Sequence, residues 1–321
     1  MGSFRGLGMP SHENERERIK AGTCFLLSFV FSLSALMSSP TISSAQSKID
    51  NHMREGMKAY VEGNYQEALD AFNKAIKIQP DHAQAYTNRG LVRYRLGDID
   101  GAFADHDSAI QMNPNFAAAY TNRGGARFTK GDINGALADH TKALEIFPDY
   151  VQALNNRAFV KLHIGDVDGA IADLDKALEL NPFDPHAYTN RASAHLAKAK
   201  MLKDKKASDK EVQKAFENAA RDATKAVVLN PNLAEAYSLR GRILQEVMAL
   251  DKALEDFDKA IELDPKLASA YVNRGATKIA KKQYEAGLED IYRGLELAPG
   301  LEPIAKPWME FAAAGIAEKS K

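Results

Sequence analysis

Sulfur is nearly absent from this chain as a structural resource, because Cys24 is its only cysteine. A lone thiol closes no internal disulfide and builds no thiolate metal site. Cys24 also stands at the start of an apolar run, whereas a lipid-acceptor cysteine follows one. Charge of one sign is lacking too: 42 Lys and Arg face 43 Asp and Glu, for a net charge of −1. That balance leaves neither the basic surplus of a nucleic-acid binder nor the acidic surplus of a solvating tail, so no nucleic-acid partner is expected. G-x-S-x-G, H-E-x-x-H and the dinucleotide fingerprint do not occur. The glycine-rich stretch 124–131 (GGARFTKG) has Lys130 before its last glycine and so lacks the order of a phosphate loop.

The apolar run itself, Cys24 to Met37 (CFLLSFVFSLSALM), has about 14 residues, fewer than the ~20 of a membrane span. Polar residues precede it, ending in Arg16, Arg18 and Lys20, and SSPTISSAQ follows, with the small residues Ser43 and Ala45 where a signal peptidase reads. Residues 1–45 therefore read as a signal peptide cleaved after Ala45, or as an uncleaved anchor that would tether the chain to a membrane. Either way the remainder is expected to lie outside the cytoplasm, as an exported, periplasmic protein.

What is present in abundance is periodicity. Pro80, Pro114, Pro148, Pro182, Pro231, Pro265 and Pro299 are spaced by 34 residues, except for one step of 49. A fixed period of this size means stacked supersecondary units, and it overrides the two-domain prior that 321 residues would suggest. With each proline at position 32, position 8 reads Gly56, Gly90, Gly124, Ala158, Ala192, Gly241 and Gly275. Positions 20 and 27 are Ala or Gly throughout, and position 4 is tyrosine in five of the seven units. Small residues at these places let two helices approach closely while larger ones fill the seam. Gly63, Gly97, Gly131 and Gly165, each followed by Asn or Asp, mark the turn between the helices, and the proline ends the second helix.

In this length and small-residue pattern the chain resembles the tetratricopeptide repeat family, over about residues 49–301. The resemblance implies an all-α, right-handed superhelical solenoid of seven helix-turn-helix units: 49–82, 83–116, 117–150, 151–184, 185–233, 234–267 and 268–301. Residues 302–321 are expected to add a capping helix and tail. Trp308, Phe311, Ala312, Gly315 and Ile316 form one apolar stripe there, with Pro307 in the first helical turn. The fifth unit carries 15 extra residues between Ala199 and Lys214. Ser208 and Glu211 make a capping box in this insertion, so it reads as a longer helical hairpin whose second helix begins near Asp209. Its many lysines, Lys203, Lys205 and Lys206 among them, are either a solvated face or a secondary docking point for an acidic partner or anionic lipid surface.

The resemblance also implies that the first helices line a concave groove that takes proteins or extended peptides. Position 6 of those helices reads Arg54, Asn88, Asn122, Asn156, Asn190, Leu239 and Asn273, and its asparagines are similar to the ladders that grip a peptide backbone. These amides are peptide rungs or structural bonds to the adjacent helix. Tyr60, Tyr94 and Phe128 at position 12 are groove contacts or packing between repeats. Position 7 is Arg89, Arg123, Arg157, Arg191, Arg240 and Arg274, and position 23 is Asp105, Asp139, Asp173, Asp222, Asp256 and Asp290. The first unit lacks both, so the two positions are expected to form ion pairs within the stack. His106 and His140 share position 24 on helices separated by another helix, too far apart to share a metal. No metal, cofactor or catalytic residue is expected. The chain reads as a non-enzymatic interaction scaffold, or as a structural subunit of an envelope complex whose groove is permanently occupied.

Overall fold

The computed structural model describes residues 44–319, so the apolar run and most of the expected signal segment lie outside the described residues. Among these residues there are helices and no strands. They form two compact units, 44–164 and 165–319. The first holds α1 (Ser44–Val61), α2 (Tyr65–Ile78), α3 (Ala83–Arg95), α4 (Ile99–Met112), α5 (Ala117–Thr129), α6 (Ile133–Ile146) and α7 (Val151–His163). The second holds α8 (Val167–Leu180), α9 (Pro185–Asp204), α10 (Asp209–Leu229), α11 (Ala234–Glu246), α12 (Leu250–Leu263), α13 (Ala268–Ala280), α14 (Tyr284–Leu297) and α15 (Glu302–Lys319). Within each unit every helix packs on the next in sequence, and first helices of neighbouring repeats also touch, as α1 does α3 and α3 does α5. No helix among the described residues is long and apolar enough to cross a membrane.

The helix pairs close because position 8 carries no bulk. A Cβ at Gly90 would stand 2.6 Å from the His106 ring, and one at Gly241 would stand 2.8 Å from the Phe257 ring. The second helices are started by a coupled pair of residues. Asp98 and Asp132 accept the backbone N–H of Gly101 and Gly135 at 2.9 Å, capping α4 and α6. A Cβ at either glycine would run into the capping carboxylate, so the glycine is what lets the cap close.

The turn inside each repeat needs a left-handed residue. Gly63, Gly97 and Gly131 supply it at φ 81–85°. In the sixth and seventh repeats Met248 and Lys282 take the same place at φ 62° and 63°, without glycine's freedom. The insertion forms a helical hairpin, with α10 beginning at Asp209 behind a full Ser208–Glu211 capping box. Lys206 turns its corner at φ 54°.

The capping helix departs from the sequence expectation. It starts at Glu302 rather than Pro307, after the short 3-10 turn Pro299–Leu301, and Pro307 lies inside it. Pro303 takes the first-turn place, and the helix continues through Pro307 at the loss of one backbone bond. The stripe still packs: Ala312 is buried, and Trp308 and Ile316 lie against a core that includes Tyr284, Ile291, Leu301 and Ala305.

Left-handed geometry costs a non-glycine residue about 1–2 kcal/mol, partly offset by glycine's entropy in the unfolded chain. Met248→Gly and Lys282→Gly should therefore each raise stability by about 0.5–1 kcal/mol, read as a higher urea midpoint. A lowered midpoint would show that these side chains contribute more than their backbone strain removes.

Candidate binding face and the arginine clamp

Arginine at position 7 makes several polar links at once. Arg123 on α5 grips Asp139 of its own repeat with two bonds, Nε at 2.9 Å and a terminal nitrogen at 2.7 Å. Its other terminal nitrogen reaches Asp107 of the preceding repeat at 2.7 Å. Arg274 repeats this with Asp290 (2.8 and 2.6 Å) and Asp258 (2.7 Å), and Arg191 with Asp222 (2.7 and 2.8 Å) and Asp175 (2.8 Å). Arg89 grips Asp105 and reaches Asn73, while Arg240 holds Asp256. Each of these five guanidinium groups also lies 5.0–5.6 Å from the tyrosine ring three residues earlier: Tyr86, Tyr120, Tyr188, Tyr237 and Tyr271.

The inner aspartates are buried and the outer ones are open to water: Asp139 is 4% exposed and Asp107 39%. A second cation supports some inner carboxylates, Arg93 on Asp105 at 3.0 Å and Lys278 on Asp290 at 2.8 Å. The hydrogen bonds that Asp222 and Asp290 accept hold Arg191 and Arg274 above the usual arginine range, against the opposing effect of burial. These links satisfy charges that would otherwise be stranded between helices. The pairing of positions 7 and 23 was legible in the sequence. The outer arm to the preceding repeat was not, although the recurrence of Asp or Asn at position 25 carried the signal.

The expected groove residues divide. Asn88 and Asn122 are 0% exposed and Asn156 is 3% exposed, so none of the three presents an open amide. The reason at Asn88 is close packing of first helices: its Nδ2 donates to Met57 Sδ on α1 at 3.5 Å. Asn190 and Asn273, in the second unit, are half-buried. At position 12 the side chains reach into the next repeat. The Tyr60 hydroxyl accepts from Arg95 Nε at 2.9 Å, Tyr94 shares a bond with Thr129 at 2.7 Å, and Phe128 lies edge-on to Phe159 and His163, both at 5.2 Å. Tyr60 and Tyr94 remain half-buried, whereas Phe128 is buried. Lys203, Lys205 and Lys206 are exposed at the hairpin tip, while on its stem Lys198 pairs with Asp168 and Lys200 with Glu246. No group of three or more His, Cys, Asp or Glu residues among the described residues is placed to hold a metal ion.

Comparison with known proteins agrees with this architecture. Family models described as TPR repeat or tetratricopeptide repeat match residues 58–97, 127–194 and 234–267. Among solved structures, a tetratricopeptide repeat protein from Parabacteroides merdae is 18% identical with a TM-score of 0.61, over 83% of this chain and 99% of that one. PilF of Pseudomonas aeruginosa is 18% identical at a TM-score of 0.56, over 70% and 95%. The APC/C hetero-tetramer Cut9–Hcn1 is 14% identical at 0.63, over 84% of this chain but 57% of the other. At these identities the likeness is one of fold. No curated protein matches the chain.

Because Asn88 is buried and bonded to α1, Asn88→Ala should destabilise the protein by about 1–2 kcal/mol in urea unfolding. A change within about 0.3 kcal/mol would show that this amide contributes nothing to the packing.

Proposed function

The chain is a tetratricopeptide repeat protein, and from that premise we propose that it is an exported, non-enzymatic scaffold that binds extended peptides or partner proteins along its first helices. The observation that carries this reading is the half-buried amide at position 6 of first helices in the second unit, Asn190 and Asn273, whereas Asn88, Asn122 and Asn156 in the first unit are buried. An amide both donates and accepts, so it meets a peptide backbone without reading its side chains. The half-buried Asn190 and Asn273 are the rungs a peptide reaches first. Each such bond is worth about 0.5–1.5 kcal/mol net, so binding is weak and tolerant of sequence unless other contacts add to it. Lys203, Lys205 and Lys206 are the secondary docking point.

Full burial of Asn88 and Asn122 favours a second reading for the first unit, a structural subunit whose groove does not exchange its contents. The location is periplasmic, supported by the polar start, the apolar run and the small residues at Ser43 and Ala45. Neither nucleic acid nor a cofactor belongs to this function.

Screening the full chain against a library of extended peptides tests the scaffold reading. The paired change Asn190→Ala and Asn273→Ala should weaken captured peptides about tenfold, the loss of two such bonds. Unchanged affinity would move binding away from the first helices, and loss instead on Lys203→Gln, Lys205→Gln and Lys206→Gln would place it on the hairpin. A peptide that co-purifies stoichiometrically and does not exchange would favour the structural subunit. The amino terminus of the exported protein should begin at Gln46, and a terminus at Met1 would indicate the uncleaved anchor.

A further inference from the structure

We propose that the first unit is an acid-sensitive section of this protein, held shut by two uncharged histidines and unpacked as its surroundings acidify, while the second unit keeps its packing. His106 on α4 and His140 on α6 are 1% and 0% exposed. Each ring fills the space beneath a position-8 glycine, so that a Cβ at Gly90 or Gly124 would stand 2.6 or 2.7 Å from its Cε1. Repeats one and six fill the same space with Phe72 and Phe257, under Gly56 and Gly241. The first unit has therefore placed a titratable ring, twice, where the fold accepts a hydrocarbon one. Among the described residues the buried Nδ1 of His106 meets no hydrogen-bond partner, so nothing there welcomes a proton.

The charged groups around the two rings also resist protonation. Arg123 on α5 acts on His106, and Arg157 on α7 acts on His140. The neighbouring carboxylates are already committed, Asp105 to Arg89 and Arg93, and Asp139 to Arg123 and Arg127. Burial first, and these arginines second, push both histidines down to about 3 from the usual 6.5. As pH falls below 6.5 the unfolded chain takes up these protons and the folded chain does not. The stability they represent is complete above 6.5 and is lost progressively toward 3.

From pH 7 to pH 5 each histidine shifts the folding equilibrium toward the open state by about 25-fold, and the two together by about 600-fold. In the second unit the same position holds Leu174, Ala223, Phe257 and Ile291, none of which titrates. His195 there is lowered as well, chiefly by burial, but Asp222 at 3.9 Å opposes the shift.

The chain carries its own reporter, because its single tryptophan, Trp308, lies on α15 of the second unit. Urea unfolding of the full chain at pH 7 and pH 5 is followed by helical ellipticity and by Trp308 fluorescence. At pH 5 an early ellipticity phase should move to much lower urea while the fluorescence midpoint moves little. The double variant His106→Phe and His140→Phe should lose that shift. Should it fail to fold, His106→Leu with His140→Leu follows the precedent of Leu174 at the same position. Wild-type probes that shift together, or an early phase that still moves in a folded variant, would overturn the proposal.

Discussion

One guanidinium in each of several repeats does two jobs on which the stack depends. It joins the two helices of its own repeat through a buried aspartate, and in four observed cases it reaches the repeat before it through an outer Asp or Asn. Only arginine has the donors for this, since a forked planar group grips one carboxylate with two parallel bonds and leaves a third donor free. The tyrosine three residues earlier lies near each clamped group and adds to its attraction. Lysine at position 7 would keep the charge and lose the geometry.

Repeat proteins are stabilised by the packing inside each repeat and by the contact between neighbours. Here both are partly ionic, unlike the apolar seam that the small residues alone would predict. A second recurring link joins position 14 to position 18 of the repeat before, as Lys130 does with Asp100 and Lys281 with Asp251. These outer pairs are exposed and contribute little singly. The inner aspartates are a different matter, because removing the arginine takes the two-bond partner away from a buried carboxylate.

Most of the fold was legible in the sequence, for a physical reason: a 34-residue period written in glycine, alanine and proline constrains backbone approach directly. The inner Arg–Asp pairs could be read because they are present or absent together. The burial of the amide row in the first unit could not, since a position number shows which way a helix faces but not how closely the next helix approaches. Asn88 and Met57 met across that gap. Pro307 misled for a similar reason: proline favours a first turn, yet the preceding 3-10 turn and Pro303 had already begun the helix. Asp98 with Gly101 and Asp132 with Gly135 were in plain sight as a repeated D-x-x-G, and their coupling emerges only from the cap geometry.

The central claim is that the arginine couples adjacent repeats as well as closing its own. A double-mutant cycle on Arg123 with Asp107 measures that coupling directly, using Arg123→Leu, Asp107→Asn and their combination in urea unfolding. The clamp predicts a coupling of about 0.5–1 kcal/mol across the repeat boundary, weakened by salt. Strict additivity of the two single changes at low ionic strength would contradict it.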